Sequence, residues 1–241
     1  RSTLVGVLIT SLSNPVFIET LTGIRDCLSV AGYQIIIGET LYSTDQERQL
    51  LSTHLARAID GVLLTGVDLD DDVKQSLRAR KIPLVHMFDI SAEPDALSVG
   101  FAQAQAGYEV GQYLLKGGYR RLGLIAGQLD PRSLKRIDGF RRALSEAGLA
   151  HKAEILTPEP TSIALGGHLL TRLLGAWPDC DAVFCVNDDL ALGALFECQR
   201  RGVKAPDDLA IVGFNDLPYA KLCVPTITSV TTPRYEIGFQ A

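Results

Sequence analysis

The sequence predicts an α/β protein made of two doubly wound, Rossmann-like subdomains. Three observations carry that prediction. Short runs rich in Val, Ile and Leu alternate with stretches of helical apolar periodicity. Strand starts recur about every 25–30 residues, the length of one βα unit. The whole series then begins again near Phe101. The strands are apolar almost throughout instead of alternating, as parallel strands covered on both faces are.

The elements follow in order. LVGVLIT (4–10) is the first strand. Phe17, Leu21, Ile24 and Leu28 then form a stripe on one helix face, and Gly32 stops that helix. YQIIIGET (33–40) is a strand, QERQLLSTHLARA a helix, DGVLLTG (60–66) a strand and VKQSLRAR a helix. IPLVHMF (82–88) and ALSVGF (96–101) are the fourth and fifth strands. The second series reads AGYEVGQYLLKGG as helix, RRLGLIAG (120–127) as strand, GFRRALSEAGL as helix and AEIL as strand. It continues with helix GGHLLTRLLGAW, strand DAVFCV, helix LALGALFECQRRG and strand DLAIVGF (208–214).

Composition narrows the function classes. At 241 residues, 46% hydrophobic and 21% charged, the chain is globular, with room for two small domains. A net charge of −5 argues against this chain gripping nucleic acid by itself, because phosphate binding needs a basic face. No apolar run reaches the ~18 residues of a membrane span. The start, RSTLVGVLIT, shows no charged segment leading into a cleavable signal and reads as the cut edge of a larger protein. Cys27, Cys180, Cys185, Cys198 and Cys223 are scattered and mostly in apolar context, which suits buried free thiols in a reducing cytoplasm. Neither CxxC nor HExxH occurs, so no metal is expected. GxGxxG after the first strand, a P-loop and GxSxG are missing too, so neither a nucleotide cofactor nor hydrolase chemistry is supported.

In doubly wound sheets ligands sit beyond the carboxyl ends of the strands, and two facing sheets would enclose a cleft. The loops just after strands therefore hold the candidates. Asn14 precedes Pro15 at a helix start, where it can cap; Phe17 is either core or an apolar wall of the site. Arg132 and Arg136 share one helix face if the helix has begun by then. Cations there oppose the helix dipole, so they suit a bound anion, unless they are surface arginines paired with Asp130 or Asp138. Asn187 stands where strand AVFCV meets the next helix. It is a good cap, and its amide can also donate to and accept from a ligand hydroxyl. Asp188 and Asp189 follow in the first turn, where acidic groups are favoured. They point different ways along a helix and have no visible base or third metal ligand, so catalysis is not expected. Asn215 ends DLAIVGF as a turn former or a ligand contact. In HMFDI, His86 reads as a core histidine and Asp89 as a candidate contact.

In this order and spacing, SNPVFIETLTGI, AGYQIII, IDGVLLTG, KIPLVHMFD, YLLKGGYRRLGLIAG, RIDGFRRALSEAGL, AVFCVNDDLALGAL, PDDLAIVGFND and VPTITSVTTP resemble the effector-binding region of the LacI/GalR family of bacterial repressors. FCVNDDLALGALFECQRRGVKAPDDLAI and IPLVHMFD are most similar to gluconate-operon repressors. The resemblance covers essentially the whole chain. It implies the fold of the type I periplasmic binding proteins, with an N-terminal subdomain of residues 1–100 plus 233–241 and a C-terminal subdomain of 101–232, and with crossovers near Phe101 and Thr232 and a third beyond the last residue. It implies that the DNA-binding helix-turn-helix headpiece and the closing segment after YEIGFQA lie outside this chain. The resemblance also implies an allosteric, cytoplasmic, homodimeric repressor without a cofactor, which reaches operator DNA through that headpiece and binds a small effector in the cleft. Asn14 and Phe17 match the family's first cleft loop, Arg136 its ligand-gripping arginine, with Arg132 in the same loop, and Asn187 its strand-tip amide. Many sugar-binding members carry Asp where this chain has Asn215. Losing that carboxylate while keeping the arginines favours a sugar acid such as gluconate over a neutral hexose. A periplasmic sugar-binding protein of the same fold is the alternative.

Overall fold

A computed structural model describes residues 3–149 and 153–241. The chain divides into two compact units, Arg1–Ala102 with Pro233–Ala241, and Gln103–Thr232. The first unit runs β1 (Leu4–Ile9), α1 (Val16–Val30), β2 (Gln34–Glu39), α2 (Thr44–Ala56), β3 (Gly61–Thr65), α3 (Asp71–Ala79), β4 (Leu84–Met87) and β5 (Leu97–Val99). The second runs α4 (Gln103–Lys116), β6 (Leu122–Ala126), α5 (Pro131–Glu146), β7 (Glu154–Leu156), α6 (Ile163–Ala176), β8 (Ala182–Cys185), α7 (Asp188–Arg201) and β9 (Ala210–Asn215). A 3₁₀ turn, Pro218–Lys221, leads to β10 (Thr228–Thr231), and α8 (Arg234–Gln240) belongs to the first unit.

The two sheets share one topology. The orders are β2-β1-β3-β4-β5 and, read from the other edge, β7-β6-β8-β9-β10. Every pairing is parallel; Val7 lies between Ile37 and Leu63, and Leu124 between Glu154 and Phe184. Central strands β3, β6 and β8 are buried along their whole length, which is why they read as unbroken apolar runs. In the first unit Leu8, Leu51, Leu64 and Leu77 form part of one core cluster between sheet and helices.

Local signals set the helix ends. Ser43, Asp70, Asp130, Ser162 and Asn187 each accept a backbone N–H at a helix start. Gly202 closes α7 in the left-handed conformation. α5 begins at Pro131, eight positions before Gly139, where the apolar pattern alone placed it. The Asp130 cap and the proline at the first helical position start it early. α4 and α5 cross at close range: a Cβ at Gly139 would overlap the Ala104 carbonyl, and one at Gly107 the Arg136 carbonyl. His86 Nδ1 stands 2.8 Å from the Gly66 carbonyl oxygen, so it is a buried, hydrogen-bonded histidine.

Candidate functional site

In each unit the chain order reverses between two adjacent central strands, β1 and β3 in one sheet, β6 and β8 in the other. Loops leaving such a pair diverge and open a crevice at the carboxyl ends of the strands. The candidate residues of the second unit gather there. Arg136 comes from α5, which follows β6; Asn187 follows β8; Asn215 ends β9.

Arg136 is buried. Its Nε donates to Gln103 Oε1 at 2.6 Å and its Nη1 to the Val186 carbonyl oxygen at 2.9 Å. The guanidinium lies 3.7 Å from the centroid of the Phe214 ring. These contacts orient the planar cation, whose charge also reaches the nearby Asp130 carboxyl. Arg132 is placed differently. Its Nε sits 3.3 Å from Asp130 Oδ1, an ion pair within the same loop, while Asp138 pairs with Arg141. Burial works to raise the Asp130 carboxyl, but Arg132, Arg136 and the Ser133 hydroxyl together hold it below the usual range.

Asn187 Oδ1 accepts from the Leu190 N–H at 3.0 Å, so the cap engages its oxygen and the NH₂ is the group suited to a ligand acceptor. Asp188 and Asp189 do more than charge-balance α7, the role the sequence gave them. Asp188 is fully buried and accepts from the Leu217 N–H at 2.7 Å and the Ser229 hydroxyl at 2.6 Å. Asp189 accepts from the Tyr219 hydroxyl at 2.5 Å. Both tie α7 to the segment between β9 and β10. Asn215 is buried at the β9 tip with φ of 107°, and its Oδ1 accepts from the Thr232 hydroxyl at 3.3 Å. Phe88, Gln128 and Asp216 also have positive φ just beyond β4, β6 and β9. Side-chain-bearing residues held in that region concentrate at functional sites.

In the first unit Asn14 Oδ1 accepts from the Val16 N–H at 3.1 Å and opens α1. Phe17 is buried edge-on against Phe88, with ring centroids 5.4 Å apart. Asp89 is buried directly after Phe88, and its Oδ1 accepts from the Ile90 N–H at 2.9 Å. Asn14 and Phe17 therefore follow β1, at that sheet's reversal point, and Asp89 follows β4.

Sequence reasoning missed Gln103, Phe214, Asp188 as a clamp, and Ser229. Gln103 carried one signal, a polar residue at the start of an apolar helix face. For Ser229 the only hint was its place in VPTITSVTTP, to which the sequence pattern assigned no element and which contains β10. The five thiols are free; burial pushes Cys180 and Cys198 up to about 11. Among the described residues no cluster of His, Cys, Asp or Glu is arranged to hold a metal, and no helix is long and apolar enough to cross a membrane.

Two doubly wound sheets with polar and cationic groups at their strand ends define a small-molecule-binding protein of the periplasmic-binding-protein class. The family model described as "Periplasmic binding proteins and sugar binding domain of LacI family" matches residues 2–241. The chain is 46% identical over 238 residues to the HTH-type transcriptional regulator GntR of Pseudomonas aeruginosa, covering 98% of this chain and 69% of that protein. It is 33% identical to GntR of Escherichia coli K12, covering 97% and 70%. The crystal structure of the transcription regulator GntR from Chromobacterium violaceum superposes with a TM-score of 0.95 at 46% identity, over 99% of this chain and 88% of that one. The chain belongs to the LacI family of transcriptional regulators, in which it is the effector-binding domain, and it is not an enzyme.

Proposed function

We propose that this domain senses a sugar acid of the gluconate type and that the regulator carrying it is a cytoplasmic homodimeric repressor, bound to operator DNA through a helix-turn-helix headpiece. Arg132, Arg136, Asn187 and Asn215 are its ligand contacts on the second unit, residues 101–232 in the boundaries read from sequence, and Asn14, Phe17 and Asp89 those on the first. One observation supports the choice of an anion: the buried Arg136 guanidinium is held in a fixed orientation at the sheet reversal point by Gln103, Val186 and Phe214. A carboxylate is a natural partner for such a planar, fixed cation. The amide of Asn215 adds no negative charge beside it. The effector then acts by binding one conformation of the domain better than another, and that difference in affinity is what reaches the DNA.

Titration calorimetry with gluconate, 6-phosphogluconate, 2-ketogluconate, glucose and ribose tests the reading. A sugar acid binds and the neutral sugars do not. Arg136→Ala weakens that binding at least tenfold, the loss expected for a charge-assisted pair of about 1.5–3 kcal/mol. Binding of glucose or ribose alone refutes the anion assignment.

A further inference from the structure

The carboxyl end of β9 is held by a hydrogen-bonded network that contains no candidate ligand contact except Asn215. Asp188, the first residue of α7, is its centre. The carboxylate is fully buried; Oδ2 accepts from the Leu217 N–H at 2.7 Å, and Oδ1 from the Ser229 hydroxyl at 2.6 Å. Ser229 Oγ in turn accepts from the Asp216 N–H at 2.9 Å. Asp216 Oδ2 accepts from the Thr231 hydroxyl at 3.0 Å and lies 3.1 Å from Lys221 Nζ. The Asp216 and Leu217 N–H groups that follow Asn215 are thus tied, one through Ser229 and one directly, to a single side chain. β9 makes room for that side chain: a Cβ on Gly213 would overlap Asp188 Oδ1. Asn215 and Asp216 both have positive φ, at 107° and 52°, a conformation that persists only where the surroundings enforce it.

We infer that Asp188 is a positioning residue of the ligand site: through Leu217 and Ser229 it fixes the β9 tip, and with it the Asn215 side chain, while touching no ligand itself. The inference rests on the reading that Asn215 contacts the effector. It has a consequence in pH. Burial, with the nearby Asp216 charge, pushes Asp188 up to about 6 against the Ser229 and Leu217 hydrogen bonds that favour the carboxylate. The other ionisable groups around it are Cys185 on β8, Asp189 next to it on α7 and Tyr219 in the 3₁₀ turn, while Lys221 pairs with Asp216. The Leu217 and Phe214 N–H groups can only donate, so among the partners of Asp188 only Ser229 can accept a hydrogen bond from the neutral carboxyl, and its hydroxyl must turn to do so. Protonation therefore rewires the tip, and ligand affinity falls below about pH 6. A sugar carboxylate, with an ordinary pKa near ~4, stays ionised there.

The test is amide NMR on the ¹⁵N-labelled full chain from pH 5 to 8, paired with gluconate titrations at pH 5.5 and 7.5. The Leu217 backbone amide and the Asn215 side-chain amide shift together with one midpoint near 6, and both stay constant in Asp188→Asn. Gluconate affinity falls at least threefold at the lower pH in the wild type and less than twofold in Asp188→Asn. Ser229→Ala, which removes a donor to the carboxylate, moves the shared midpoint upward; this variant decides the matter if Asp188→Asn does not fold. The inference is overturned if the Asn215 amide stays fixed while Leu217 titrates, if Asp188→Asn keeps the wild-type profile, or if Ser229→Ala leaves the midpoint where it was. If gluconate binds at neither pH, the sugar-acid reading fails, and the two ligand-free resonances still decide for or against the positioning role.

Discussion

Gly139→Ala places one methyl group where α5 crosses α4. The new Cβ would overlap the Ala104 carbonyl oxygen and stand 2.8 Å from both the Ala104 carbonyl carbon and the Tyr108 amide nitrogen. Non-bonded carbons prefer about 3.5–4.0 Å, so the helices must part by on the order of 1 Å. A gap of that size forfeits roughly a quarter to a half of each contact well along the interface, where Val110, Leu114, Phe140, Ala143 and Leu144 are buried. Overpacking costs about 1–3 kcal/mol when side chains can move. Here the clash is with backbone and no rotamer relieves it, which puts the cost near about 3 kcal/mol. For a unit of this size that is a fall in Tm of roughly 10 °C. The chain's single tryptophan, Trp177, lies in the second unit, so its fluorescence during urea denaturation follows the affected unit. Effector affinity falls too, because the 2.6 Å Arg136–Gln103 hydrogen bond joins the same two helices. A loss of stability below about 1 kcal/mol would refute the reasoning that this glycine sets the helix approach.

Two further outcomes follow from the first unit and from the thiols. Burial, then the Asp68 charge, raises the Glu47 carboxyl to about 7, so the folded chain holds this proton more tightly than the unfolded one, whose value is 4.5. Stability therefore falls as pH rises from about 4.5 through 7, and Glu47→Gln removes that part of the fall in urea melts at pH 5 and 8. With an excess of a thiol-reactive disulfide, the half-buried Cys27 and Cys223 react before the buried Cys180, Cys185 and Cys198, which wait for denaturant. Five thiols reacting at one rate would contradict the burial.

Much of the second unit's candidate site was legible because a parallel sheet places functional groups just past its strands. AVFCV followed by Asn187 and LAIVGF followed by Asn215 announce their own positions. The ambiguity of Arg132 was not resolvable, since pairing with Asp130 or with a ligand depends on side-chain directions that spacing does not encode. The further role of Asp188 stayed hidden for a related reason. A carboxylate in the first turn of a helix satisfies a local rule completely, so nothing in its neighbourhood points to Leu217 or Ser229, 29 and 41 positions away.

By itself the sequence determined the class of fold, the order of strands and helices as far as β9 and the family resemblance, because hydrophobic periodicity and turn chemistry are local properties; β10 was not read from it. The tertiary structure alone decided what holds Arg136, that Arg132 reaches Asp130, and that the first residue of α7 clamps the tip of β9. Those are contacts between distant segments. They exist only once parallel strands bring the ends of β6, β8, β9 and β10 side by side and exclude water from the groups between them.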